Sequence, residues 1–231
     1  MTRRLRQHHS RGVSLVEFAI IFPFALVFVL GLIQAGLIYI GKINLNHATF
    51  MAARRGAVEN GTTAAVRASV IRGLIPFYQD STKPNLVERL GLAWKDAQVD
   101  AVIPGRLSVE RLSPSPQAFN DFGVVINGKR QIPNDSLAFR NDTVRASSGV
   151  NIQDANLLKI RVTYAFELKV PLMKTIVRTM MCGGSTALQA FGGSISLFEA
   201  LNPSKCLQYY QQGRIPLVSY AVVQMQSPAF E

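Results

Sequence analysis

Hydrophobic and polar positions divide this chain into regions of different period. From Phe18 to Gly41 no residue is charged, a run of 24 dominated by Phe, Leu, Ile and Val. At about 1.5 Å per residue, a helix of that length spans about 36 Å, enough to cross a hydrocarbon core of about 30 Å with some tilt. Pro23 would kink it near its start, and Gly31, Ala35 and Gly36 offer a small surface for the close approach of another helix. Tyr39 and Lys42 fall where the far interface would lie. A cleaved secretory signal has an apolar core of only about 7–15 residues ending in a small-x-small site. Here the run is longer, and Ile33 stands where a small residue is wanted.

Beyond the run, "NLNHATFMAARRGAV" reads as a continuation of the same helix. Ile43, His47, Phe50, Met51 and Arg54 recur at helical spacing and make one mixed face. Gly56, Asn60 and Gly61 break the pattern. "TTAAVRASVIRGLIPF" predicts a second helix, capped at Thr62 or Thr63 and ended by Gly73 and Pro76, with Ala65, Val66, Ser69, Val70 and Leu74 inward. Residues 83–149 are rich in turn signals ("LSPSPQ", "NGKR", "IPNDS", "RASSG"). Between them lie the strand candidates "AQVDAVI", "LSVERL" and "DFGVVING", with Asn127-Gly128 as a hairpin turn. The strictest alternation is in "LKIRVTYAFELKV". Ile160, Val162, Tyr164, Phe166, Leu168 and Val170 share one face, and Lys159, Arg161, Thr163, Glu167 and Lys169 share the other. "MKTIVRTMM" predicts a short helix after Pro171. Gly183, Gly184, Gly192 and Gly193 loosen the stretch that follows it, and "RIPLVSYAVVQMQ" predicts a strand antiparallel to the first. The expected fold is α+β: a long N-terminal transmembrane helix continuing into a stalk, then an exported antiparallel-sheet domain. The expected divisions are a leader over 1–12, the membrane helix over 13–41, the stalk over 42–60 and the exported domain over 61–231.

Charge changes this picture little. The net charge is +11, from 25 basic and 14 acidic residues, and Arg3, Arg4, Arg6 and Arg11 supply four of the positives before Gly12. The other basic residues are scattered, with no dense basic block and no zinc-finger spacing, so a solvated basic surface is expected and a nucleic-acid partner is not. The four leader arginines favour a cytoplasmic N-terminus, although Lys42, Arg54 and Arg55 on the other side make the bias modest. Cys182 and Cys206 have no neighbouring His or Cys at ligand spacing. Outside the cytoplasm they would form a disulfide closing about 25 residues, worth about 3 kcal/mol; inside it they would be two buried thiols.

Catalytic motifs do not occur: there is no phosphate-binding loop, no metalloprotease helix and no Gly-x-Ser-x-Gly elbow. His8 and His9 lie in the leader and His47 stands alone. Asp96, Asp100 and Glu110 are near one another in sequence without a pattern that ties them to a common site. No cofactor, metal or small-molecule substrate is expected, and no enzyme activity.

One residue is out of place. Glu17 puts a carboxylate at the head of the apolar run, at a cost of about 2.5 kcal/mol or more if it is buried in lipid. At the cytoplasmic edge it could simply reach water. A second reading joins it to Gly12, which ends the short basic leader. A cut between Gly12 and Val13 would create an ammonium group at Val13 and make Glu17 the fifth residue of the new chain. That cation could pair with Glu17 of a neighbouring copy and set the axial stagger between subunits.

The arrangement "RGVSLVEFAIIFPFAL" resembles the class III signal of type IV pilin-like proteins. More narrowly, "VEFAIIFPFALVFVLGLIQAGLIY" with "NLNHATFMAARRGAV" is similar to the opening of TadE-like minor pseudopilins of the tight-adherence (Flp) pilus system. The resemblance covers about 45 residues, Arg11 to Val58. It implies removal of the leader by a prepilin peptidase between Gly12 and Val13. It also implies an inner-membrane protein with a periplasmic domain, and a role in pilus assembly and adhesion beside other pseudopilins, pilins and platform proteins. The chain is too long for a major Flp pilin, and no Asp-x-Ser-x-Ser motif supports the larger TadG-like adhesion proteins. The competing reading is an uncleaved single-span protein whose exported domain binds another envelope component.

Overall fold

The computed structural model describes residues 13–182 and 203–231. Helix α1 runs unbroken over Val13–Val58, 46 residues with Pro23 inside it, a length of about 69 Å at the standard rise. Its two halves have different surroundings. Every described side chain from Leu15 to Val29 is exposed, and the most apolar 18-residue window contains no buried residue. From Gly41 onward the continuation expected as a stalk carries the head along its side.

The face that the head covers consists of Leu45, Ala48, Thr49, Ala52, Ala53 and Ala57, all fully buried. The mixed face of Ile43, His47, Phe50, Met51 and Arg54 is exposed. Small side chains win the buried face because they let a second helix come close. That helix is α2 (Thr63–Gly73), which buries Val66 and Val70. A Cβ on Gly73 would meet the Ala48 side chain and come within 2.8 Å of its Cα, and a Cβ on Gly56 would lie 2.6 Å from Val66 Cγ2. Gly73→Ala is therefore expected to destabilise the head by about 1–3 kcal/mol, as overpacking does. Thermal unfolding of the full-length protein in detergent reads this out, and an unchanged midpoint would refute it.

Helix α3 (Leu86–Val102) follows, its start capped by the Asn85 side chain, which accepts from the Val87 N–H at 3.1 Å. It contains all of "AQVDAVI" but the final Ile103, its C-cap, so this stretch is helical and not a strand. Ala93, Ala97, Asp100 and Ala101 are buried, a 3.6-residue period written in residues too small to announce it. Strand β1 (Leu107–Ser113), helix α4 (Pro116–Phe122), strands β2 (Val124–Ile126) and β3 (Lys129–Ile132) and the short helix α5 (Ile152–Ala155) fill the middle. The β2–β3 hairpin turns at Asn127 and Gly128, whose φ values of 52° and 74° are those of a type I′ turn.

Strand β4 (Leu157–Glu167) is the centre of the main sheet, in the order β1–β4–β5 and antiparallel throughout. As its alternation predicts, Ile160, Val162, Tyr164 and Phe166 are buried, and Leu168 and Val170 continue the face. Helix α6 (Met173–Cys182) and helix α7 (Pro203–Gln208) are joined by a disulfide between Cys182 and Cys206. Strand β5 (Arg214–Gln224) pairs with all of β4, from Leu157 opposite Gln224 to Glu167 opposite Arg214.

The last residues form β6 (Ala229–Phe230) in a second sheet, β2–β3–β6. This segment fastens the end of α1. Asn60, with a left-handed φ of 59°, donates from its backbone N–H to Ser227 Oγ and from its side chain to the Pro228 carbonyl, both at 2.9 Å. Its own carbonyl accepts from the Phe230 N–H at 2.9 Å.

Candidate functional site

The residues singled out for assembly lie on the free half of α1. Glu17 is exposed in the first turns of the helix, among exposed Leu15, Val16 and Phe18. Among the described residues it enters no ion pair. Phe18 and Phe22 stack one turn apart with ring centroids 5.3 Å apart. Val13 is the first residue of the helix, and Gly12, the other side of the expected cut, lies outside the described residues. Pro23 is exposed. So are Ala35 and Gly36, while Gly31 is half-buried. A Cβ at Gly31 or Gly36 would meet nothing within 4 Å. The chain does not use these small residues to pack its own head.

The head takes hold of the helix at Gln34. This glutamine is buried, 3% exposed. Its Oε1 accepts the Val170 N–H at 3.0 Å, just past the end of β4. About two turns on, Gly41 lies under the Phe166 ring, where an added Cβ would come within 2.9 Å. Lys42 donates to the Val218 carbonyl of β5, and Ser219 Oγ donates to Asn46 Oδ1 at 2.8 Å. A main-chain amide, an aromatic ring and a lysine therefore set how the helix leaves the head.

A second cluster, which the sequence pattern does not announce, lies inside the head. Asp100 is 5% exposed. Its carboxylate accepts from Arg106 at Oδ1, and from Tyr78 Oη at 2.5 Å and Arg214 Nη1 at 3.3 Å at Oδ2. Arg214 also donates to the Ala165 carbonyl at 2.8 Å, and the Tyr78 and Tyr164 hydroxyls are 2.8 Å apart. Burial, reinforced by Tyr164 and Asp100, pushes the Tyr78 hydroxyl far above the usual tyrosine range, so it stays protonated and donates. The adjoining cavity, of about 60 Å³, has room for a few waters and not for a substrate-sized ligand. These hydrogen bonds tie α3, β4 and β5 together, with the Arg106 Nε left buried and unpaired. The other two acids go elsewhere: Glu110 pairs with Arg161, and Asp96 lines a separate cleft with Asp80, Lys83 and Arg89. Among the described residues, no group of three His, Cys, Asp or Glu side chains is placed to hold a metal ion.

A long exposed apolar helix rooted in an α+β head fits a single-pass membrane protein, and the one candidate span among the described residues, by length and composition, is in α1. A family model described as TadE-like protein matches residues 12–54. The match starts at the glycine before the helix and ends within the part of α1 that the head covers. Comparison with curated proteins and with solved structures finds no match.

Proposed function

We propose that this chain is a minor pseudopilin-like component of a tight-adherence (Flp type IVb) pilus assembly system. It is anchored in the inner membrane, with its N-terminus cytoplasmic and its head periplasmic. The observation that carries the reading is the TadE-like match over residues 12–54, a stretch that places Glu17 near the start of an apolar helix which its own head leaves bare. The leader is removed by a prepilin peptidase between Gly12 and Val13. The new Val13 ammonium then pairs with Glu17 of a neighbouring pseudopilin or pilin, and the pair sets the register of the helices. A carboxylate that is costly in a lone membrane helix becomes favourable once a neighbour supplies the cation. The disulfide fits an oxidising compartment on the head's side.

The reading is tested at Glu17. Glu17→Ala removes a charge from the span, so membrane insertion of the variant is expected to match that of the unaltered protein. Pilus assembly in cells carrying only the variant is expected to fall, measured as surface fibre by microscopy. Normal fibres would sink the register role.

A further inference from the structure

A hydrocarbon core of about 30 Å takes about 20 helical residues. No described residue of α1 before Gln34 is buried, and the 19 residues from Leu15 to Ile33 are about the length such a core takes, so the head begins to cover the helix at the membrane boundary, five residues before Tyr39, where the uncharged run alone would set it. Gln34 is the residue the head grips through Val170. The segment that follows Val170 therefore leaves the head at the level of the membrane surface. It begins with Leu172, which is 56% exposed and held at a left-handed φ of 65°, a conformation that leucine seldom adopts.

Helix α6 then runs out from this point. Met173, Ile176, Val177, Met180 and Met181 lie on one side of it at helical spacing. The stripe goes from buried Met173, through half-buried Ile176 and Val177, to Met180 and Met181, which are 54% and 42% exposed. Leu207, 65% exposed, stands one residue past the disulfide that holds α7 to α6. On the flank of the stripe, Lys174 and Arg178 line a groove of about 180 Å³ closed by the turn Tyr210–Gln212. Lys174 also pairs with Glu167 at 2.9 Å.

We infer that this end of the head is a membrane-surface foot, and that its partner is an anionic phospholipid leaflet of the membrane that α1 spans. Met180, Met181, Leu172 and Leu207 enter the boundary between headgroups and acyl chains, and Lys174 and Arg178 take a lipid phosphate in the groove. Interfacial helices bind in this way, with an apolar face buried about 5–10 Å and basic residues on the polar side. The foot fixes the tilt of the head on its anchor. The inference needs only that α1 spans a membrane. It does not depend on the pilus reading, which the mass of the N-terminus tests separately.

The sequence has a single tryptophan, Trp94, so a reporter can be placed cleanly. Full-length Trp94→Phe protein carrying Met180→Trp or Leu207→Trp is reconstituted in nanodiscs of phosphatidylcholine and phosphatidylglycerol, with or without dibrominated acyl chains. Both reporters are expected to lose about half their fluorescence in the brominated discs, as a side chain at the acyl boundary would, while native Trp94 loses none. Adding Arg178→Gln is expected to weaken the quenching most when phosphatidylglycerol is present. The foot is refuted if neither reporter is quenched while circular dichroism shows the native fold. It is equally refuted if reporter emission follows the number of copies per disc and not the lipid, since a second copy would then cover the stripe.

Discussion

Asp100→Ala is expected to lower the stability of the full-length protein by about 3 kcal/mol, the low end of the range for removing one partner of a buried ion pair. The carboxylate serves three donors. Without it the Arg214 side chain, 12% exposed, keeps the Ala165 carbonyl and loses its ion-pair partner, with Glu167 left as a more distant negative charge. The low end of the range applies because Arg106, 27% exposed, can still reach water. Tyr78→Phe removes one donor to the charged carboxylate and should cost about 1.5 kcal/mol. Thermal unfolding in detergent, followed by near-ultraviolet circular dichroism, orders the two variants. Equal midpoints for Asp100→Ala and the unaltered protein would show that the cluster contributes no net stability.

The second large effect concerns processing. Protein extracted from native membranes is expected to begin at Val13, and Gly12→Leu is expected to retain the whole leader. A protease subsite shaped for glycine rejects each added methylene by about 10-fold or more, so the mature fraction should fall at least about tenfold. Intact mass spectrometry reads both forms directly. A native chain beginning at Met1 or Thr2 would make the leader a retained cytoplasmic anchor and Glu17 an edge residue. Normal maturation of the Gly12 variant would place the cut elsewhere.

Some of this molecule is legible in short stretches of sequence because the physics there is local. The uncharged run from Phe18 to Gly41 announces a span wherever the rest of the chain goes, and Glu17 is conspicuous at its head. The alternation in Leu158–Val170 encodes a half-buried strand: β4 ends at Glu167, the apolar face from Ile160 to Val170 is buried, and Ala165 on the other face is buried as well. The strand at Arg214–Gln224 and the turn at Asn127-Gly128 are visible for similar reasons. The small-residue patterns are harder to read. Ala48, Ala52 and Ala53 carry little hydrophobic signal, yet they form the buried face of α1, because closeness to α2 matters there more than apolar area. Residues 97–103 look like a strand for the same reason: alanines mark the buried side of α3 only weakly.

By itself, then, the sequence determined the anchor, the carboxylate at its head and the two long strands, since each follows from charge or period within a window of a few turns. Only the tertiary structure decided where the head grips the anchor and which acid it buries. Val170 reaches Gln34 across 136 positions, Arg214 reaches Asp100 across 114, and Pro228 reaches Asn60 across 168. Such partners are chosen by how the helices and sheet pack, and no local pattern encodes a hydrogen bond between residues that only folding brings together.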